Sequence, residues 1–152
     1  MRERFRIHAV ALALSAATIL ALAPATPAHA HHLAGPCDFH QLDGETIQHL
    51  SKRHIRCAVD RFGAVPGGAD RAICIARRES GLIPAAASLT GRYLGLFQHM
   101  AKAWPDRYAT WTKRAWELPT SALSGRTNAT VTIRMVHAAG GWSAAGWPVG
   151  DC

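Results

Sequence analysis

One glutamate in this sequence occupies a position suited to acid chemistry. Residues 71–80 are predicted to be helical, and one face of that helix carries Ala72, Ile75, Ala76 and Glu79. Glu79 is therefore an acid at the end of an apolar stripe, where partial burial disfavours the charged form. A carboxyl that keeps its proton can act as a general acid on a leaving oxygen. The alternative is a solvated residue at a helix end, paired with Arg77 or Arg78.

An ordered series of residues follows this glutamate without a gap. The segment from Glu79 to Gln98 reads ESGLIPAAASLTGRYLGLFQ. It resembles the signature of the lysozyme-like lytic transglycosylases, which is a Glu-Ser pair, a turn with Pro, a Ser, and then Gly-x-x-x-Gly-Leu-x-Gln. The matching residues are Glu79, Ser80, Pro84, Ser88, Gly91, Gly95, Leu96 and Gln98. The sequence departs from the family at Ile83, where the family usually has Asn before the proline.

The resemblance implies a role for each polar residue of the motif. Glu79 would be the single catalytic acid/base. Ser80 and Ser88 would form hydrogen bonds in or beside a cleft, and Gln98 would line that cleft and contact the substrate.

Other residues are candidates for contact with a sugar ring. The resemblance implies that Gly91 and Gly95 let the backbone approach the sugar closely. Among the aromatic residues, Tyr93 lies inside the motif loop and Trp142 lies in the tail, and both are predicted to stack on sugar. Asn128 resembles the asparagine that opens a late helix in the family, so it is either a ligand residue or a helix N-cap.

The first 30 residues are predicted to be a signal peptide. Three arginines within the first six residues precede an apolar run from about residue 9 to residue 22, and the triplet Ala28-His29-Ala30 has the form of a cleavage site. The alternative is a membrane anchor, but the run is shorter than the roughly 20 apolar residues of a bilayer span. We therefore expect a secreted protein without a stable membrane anchor.

The charge of the exported part favours an anionic partner. The leader contains three of the 17 basic and one of the 10 acidic residues, so 14 basic and nine acidic residues remain, a charge of +5 with histidines neutral. A basic surface suits a cell-wall polymer. Export and the lack of a dense Lys/Arg run argue against nucleic acid as the partner. We expect a monomer that acts on peptidoglycan glycan strands and needs no cofactor or metal.

Four cysteines lie in the exported part: Cys37, Cys57, Cys74 and Cys152. An even count predicts two disulfides, and the spacing alone leaves three pairings open. The tail GGWSAAGWPVGDC resembles the ending of the resuscitation-promoting factors, small secreted wall-cleaving enzymes whose last cysteine bonds to the catalytic helix. That resemblance implies Cys74–Cys152, which leaves Cys37 for Cys57. A zinc site is disfavoured because no C-x-x-C pair occurs.

The predicted elements describe a mainly α fold, of the α+β lysozyme-like type. Residues 31–44 form an irregular N-terminal arm, and residues 45–152 form one small domain with a loop-rich or short-hairpin insertion after the catalytic helix. Helices are predicted at residues 45–62, at 71–80 with Asp70 as N-cap and Gly81 as stop, at 96–104 up to an interruption at Pro105, and from Thr127 or Asn128 to Ala139.

The stretch after the candidate acid lacks a second carboxylate. No Asp or Glu occurs from Ser80 through Pro105. Hydrolases that retain or invert configuration use two carboxyls about 5 to 9.5 Å apart, whereas a lytic transglycosylase uses one. The sequence therefore favours a lytic transglycosylase, with a lysozyme-type hydrolase or a non-catalytic wall-binding domain as alternatives. Asp60, Asp106 or Glu117 would be the second acid of a hydrolase.

Overall fold

The structure, a computed structural model, describes Cys37 and residues 39–152. The predicted signal peptide lies outside the described residues, and so does the first part of the predicted arm. Residues 39–44, the described remainder of that arm, contain neither helix nor strand. In the part of the chain that is described, no helix has the length and apolarity needed to cross a bilayer.

The described residues form a small, mainly helical protein, as predicted. They contain four α-helices and one two-stranded sheet: α1 (Ile47–Phe62), α2 (Gly68–Ser80), β1 (Tyr93–Leu94), β2 (His99–Met100), α3 (Trp104–Trp111) and α4 (Gly125–Ala139). Single 3-10 turns at Ala101–Ala103 and Arg114–Trp116 precede and follow α3.

The core lies between α1, α2 and α4. Ile55 of α1, Ile75 of α2 and Ile133 of α4 are fully buried in one cluster, together with Phe97 from the loop between the strands. Ala72, Ile75 and Ala76 are all inaccessible to solvent, so the predicted apolar face of α2 is confirmed. Burial of this face fixes the rotation of α2, and it thereby fixes the direction in which Glu79 leaves the helix end.

The start of α2 differs from the prediction. The helix begins at Gly68, and Gly67 precedes it with φ +78°, so Asp70 is not the N-cap. Asp70 instead lies in the first turn, where a negative charge complements the helix dipole. The predicted stop at Gly81 is confirmed, with φ +67° and an N–H that donates to Arg77 O at 2.8 Å.

The predicted helix at 96–104 is wrong. The chain instead forms a hairpin in which Tyr93 pairs with Met100 and Leu94 with His99, and the residues between the strands make the turn. Pro105 lies in the first turn of α3 and does not interrupt a helix. The reason is that proline lacks an N–H, and the first turn of a helix does not need one.

The last helix begins earlier than predicted, because Ser124 is its N-cap. The Ser124 hydroxyl accepts a hydrogen bond from Thr127 N at 3.3 Å. Neither Thr127 nor Asn128 opens α4; both lie inside the helix and are fully buried.

The predicted disulfides are both confirmed. Cys37 is bonded to Cys57, which joins the arm to α1, and Cys74 is bonded to Cys152, which joins α2 to the tail. The tail is therefore attached beside the helix that carries Glu79. Such cross-links typically stabilise small domains by about 2–4 kcal/mol.

Candidate active site

Glu79 lines an open cleft of about 300 Å³. Two further predicted site residues, Tyr93 and Gln98, line the same cleft from the hairpin. The rest of its wall comes from the tail and consists of Gly146, Trp147 and Pro148. Three separated segments of the chain therefore meet around one carboxyl.

The Glu79 side chain is 26% exposed and lies beside a guanidinium. Its Oε1 is 3.2 Å from Arg78 Nη2. The arginine pair considered from the sequence is thus present, and the same carboxyl also faces the cleft. Ser80 fixes this end of α2, because its hydroxyl lies 3.0 Å from Ala76 O and 2.8 Å from Leu96 O. It connects the helix to the hairpin turn.

Two polar motif residues, Ser88 and Gln98, are held by hydrogen bonds to the backbone of the hairpin region. Ser88 Oγ accepts a hydrogen bond from Tyr93 N at 3.0 Å, and Ser88 is not part of the cleft lining. Gln98 adopts φ +48°, and its Nε2 donates to Gly95 O at 2.8 Å. The amide nitrogen is therefore engaged by the backbone of the turn, which fixes the orientation of this side chain.

The two motif glycines have different roles. Gly91 has φ +67° at an exposed turn, and a Cβ there would meet nothing within 4 Å. Gly95 is buried, and a Cβ there would collide with Ala122 O and with the Asn128 amide. The expectation that Gly95 leaves room for a sugar is therefore wrong. Gly95 allows the hairpin turn to pack closely against α4.

Asn128 and Trp142 are structural residues, contrary to their predicted contact with sugar. Asn128 is fully buried; its Oδ1 accepts from Phe97 N at 2.9 Å and its Nδ2 donates to Ala122 O at 2.8 Å. Trp142 is 1% exposed and stacks on Phe97 inside the core. Neither side chain can reach a ligand in the cleft.

Trp147, rather than Trp142, is the tail aromatic that borders the cleft. The side chain is largely buried at 5% exposure, and its Nε1 donates to Phe97 O at 2.8 Å. Trp147 therefore borders the cleft while its ring packs in the core against Phe97 and His99. Trp147 belongs to the Trp-Pro pair of the tail motif. The sequence alone, however, does not show which of the two tail tryptophans, five residues apart, borders the cleft.

A buried histidine packs against the indole ring of Trp147. His99 is fully buried, and its ring meets the indole of Trp147 edge-on at 5.2 Å between centroids. Arg107 Nη1 is 2.8 Å from His99 Nδ1, and His99 Nε2 is 2.8 Å from Thr132 Oγ1. Because arginine can only donate, Nδ1 is the acceptor and Nε2 carries the proton. Burial first, and the charge of Arg107 second, lower the pKa of His99 from 6.5 to about 3.

This buried histidine predicts that acid destabilises the fold. Below about pH 6.5 the unfolded chain binds a proton at His99 that the folded protein does not bind until about pH 3, so stability is full above 6.5 and falls as the pH drops between these values. We expect a loss of roughly 1 kcal/mol per pH unit in that window. Urea unfolding at pH 7, 5.5 and 4.5 measures it.

The matched control for this prediction is His99→Gln. His54, whose pKa is also lowered by burial, contributes in the same direction and is unchanged in this variant. The variant is therefore expected to keep a shallower pH dependence than the wild type. Equal slopes for the two proteins would contradict the assignment to His99.

Glu79 carries the only carboxyl among the described residues that line the cleft. The three predicted alternatives for a second acid, Asp60, Asp106 and Glu117, are all exposed and lie outside the cleft lining. In the described part of the chain, no group of three His, Cys, Asp or Glu side chains is arranged to hold a metal ion. The arrangement can supply one proton donor or acceptor, the side-chain amide of Gln98 and one exposed aromatic ring, that of Tyr93.

The chain matches no protein-family model, and neither the curated proteins nor the solved structures compared with it give a significant match. The assignment of this site therefore depends on the motif residues and on their geometry.

Proposed function

We propose that this protein is a secreted lytic transglycosylase that cleaves the β-1,4 bond between MurNAc and GlcNAc in peptidoglycan. The observation that carries the proposal is the convergence of Glu79, Tyr93 and Gln98 in one cleft with the tail residue Trp147. These residues belong to two separate motifs, the segment from Glu79 to Gln98 and the Gly/Trp-containing tail from Gly140 to Cys152.

The proposed reaction needs one carboxyl. Glu79 in its acid form donates a proton to the glycosidic oxygen as the bond from that oxygen to C1 of the muramoyl sugar breaks. The resulting carboxylate then accepts the proton of the 6-hydroxyl of the same sugar as O6 bonds to C1. The glutamic acid is regenerated, and the products are a free 4-hydroxyl and a 1,6-anhydro end.

The lining of the cleft favours this route over hydrolysis. A hydrolase needs a second carboxyl to act as nucleophile or to activate water, and the described cleft residues contain none besides Glu79. The 6-hydroxyl, by contrast, is tethered next to the anomeric carbon, and well-oriented intramolecular reactions reach effective molarities of about 10⁵ to 10⁸ M. Tyr93, 37% exposed at the rim, provides a ring face for a bound sugar.

The products of digestion test this proposal. We expect purified peptidoglycan, digested with the secreted, oxidised protein, to carry predominantly 1,6-anhydromuramic ends. Mass spectrometry of the separated muropeptides distinguishes the two reactions, because an anhydro end is one water lighter than a reducing end.

Other results would reassign the protein. Predominantly reducing ends would indicate a lysozyme-type hydrolase, and the substitutions Asp60→Asn, Asp106→Asn and Glu117→Gln would then locate its second acid. Binding to the wall without any cleavage would indicate a non-catalytic wall-binding domain.

A further inference from the structure

One face of α2 holds the tail. Arg71, Cys74 and Arg78 are spaced by three and four residues, so they lie along the same side of the helix. Arg71 Nε donates to Cys152 O at 3.0 Å, and Cys74 is bonded to Cys152. Arg78, the third of these residues, contacts tail residues that lie nearer the cleft.

Arg78 contacts the tail and the candidate acid with one guanidinium. Nη1 donates to Val149 O at 3.1 Å, and Nη2 donates to Pro148 O at 2.5 Å while also lying 3.2 Å from Glu79 Oε1. The backbone is shaped to admit it: Gly150 has φ +49°, and a Cβ there would lie 2.8 Å from Arg78 Nη1. Pro148 is itself part of the cleft wall.

We propose that Arg78 is a positioning residue that sets the distance between Glu79 and the tail wall of the cleft. The inference rests on the proposed function, since it assigns to Arg78 a role in that reaction. The disulfide fixes the end of the tail at Cys152, but three residues lie between that cysteine and Pro148. Arg78 supplies the second attachment, at the point where the tail borders the acid.

The fork shape of the guanidinium is essential to this role. Three acceptors in different directions are engaged by one planar group with five N–H donors, which a single ammonium cannot reproduce. The Arg78 side chain is 38% exposed, so its ion pair with Glu79 adds little to stability. The effect is therefore expected in catalysis, where a displacement of about 1 Å at the reacting groups costs up to a hundredfold in rate.

The first part of the test measures the tail directly. Arg78→Ala and Arg78→Lys are compared with Arg77→Ala, which removes the exposed arginine one position earlier. Hydrogen–deuterium exchange followed by mass spectrometry reports on the peptide covering residues 143–152 in the oxidised proteins. We expect faster exchange in both Arg78 variants and wild-type exchange in Arg77→Ala. This measurement does not depend on enzymatic activity.

The second part measures catalysis on peptidoglycan. We expect Arg78→Ala to lower kcat by roughly ten- to a hundredfold with a smaller change in KM, Arg78→Lys to recover only part of the loss, and added guanidinium ion to restore rate to Arg78→Ala in a saturable manner. If Arg78 were purely structural, Arg78→Ala would lower the melting temperature but leave kcat unchanged, and added guanidinium ion would have no effect on the rate.

The outcomes separate this inference from the proposed function. Wild-type exchange in the tail of both Arg78 variants, or wild-type kcat in Arg78→Ala, overturns the positioning role. A wild-type protein that releases no anhydro ends refutes the proposed reaction and with it the role of Arg78 in catalysis, while the exchange data still decide whether Arg78 holds the tail.

Discussion

Substitution of Glu79 by Gln is expected to abolish peptidoglycan cleavage while leaving the fold intact. Gln keeps the shape of the side chain, and its carbonyl oxygen can still accept the hydrogen bond from Arg78 Nη2. It cannot donate the proton that the leaving oxygen needs. General acid/base catalysis is worth about 10² to 10⁴ in rate, so residual lysis should fall to at most about 1% of the wild type. Turbidity of a wall suspension measures lysis, and circular dichroism measures the fold.

Two carboxyls outside the cleft provide the controls. Asp60→Asn and Asp106→Asn remove the same charge from exposed positions on α1 and α3. Both variants should lyse the wall at the wild-type rate. Wild-type lysis by a folded Glu79→Gln protein would falsify the enzyme assignment altogether, whereas a loss in one of the aspartate variants would identify a second catalytic acid.

Substitution of Gly95 by Ala is expected to lower the free energy of unfolding by roughly 3–8 kcal/mol. The residue has φ +81°, where a Cβ adds strain of roughly 1–2 kcal/mol. The methyl group would also displace Ala122 O and the Asn128 amide, which are hydrogen-bonded to each other at 2.8 Å. Overpacking of this kind and the loss of a buried hydrogen bond each cost about 1–3 kcal/mol. Urea unfolding measures the sum.

Gly91→Ala is the matched control for that prediction. Gly91 has nearly the same backbone conformation, φ +67°, but a Cβ there meets no atom within 4 Å. Its cost should be the backbone strain alone, roughly 1–2 kcal/mol. The difference between the two variants measures the contact between the hairpin turn and α4. Equal losses would show that conformation, and not this contact, accounts for Gly95.

The orientation and the end of α2 were predictable from the local sequence. The apolar face of α2 follows from helical periodicity, and Gly81 ends the helix because it accepts a left-handed conformation. The position of Glu79 follows from those two facts. The tail disulfide was implied by the resemblance of the last 13 residues to a known ending, and the structure confirms it.

The features that depend on packing were not predictable from local sequence. The residues around Leu96 and Phe97 are apolar in a way that fits a buried helix or a buried hairpin turn, and only their contacts with α4 decide between the two. Trp142 and Trp147 are each preceded by a glycine, so the local sequence does not distinguish them. Their difference arises because the chain turns between them, so that Trp142 Nε1 reaches Pro66 O while Trp147 reaches the cleft.

The two aromatic residues that line the cleft differ in how well they should tolerate substitution, because Tyr93 is exposed and Trp147 is buried. Tyr93 stands at the rim, so its replacement would change ligand preference without disturbing the interior. Trp147 packs against Phe97, Trp142 and His99, so any change there alters the core and the binding surface together. Directed evolution of specificity should therefore accumulate substitutions at Tyr93 and spare Trp147, and a library randomised at Trp147 should yield mostly unfolded protein.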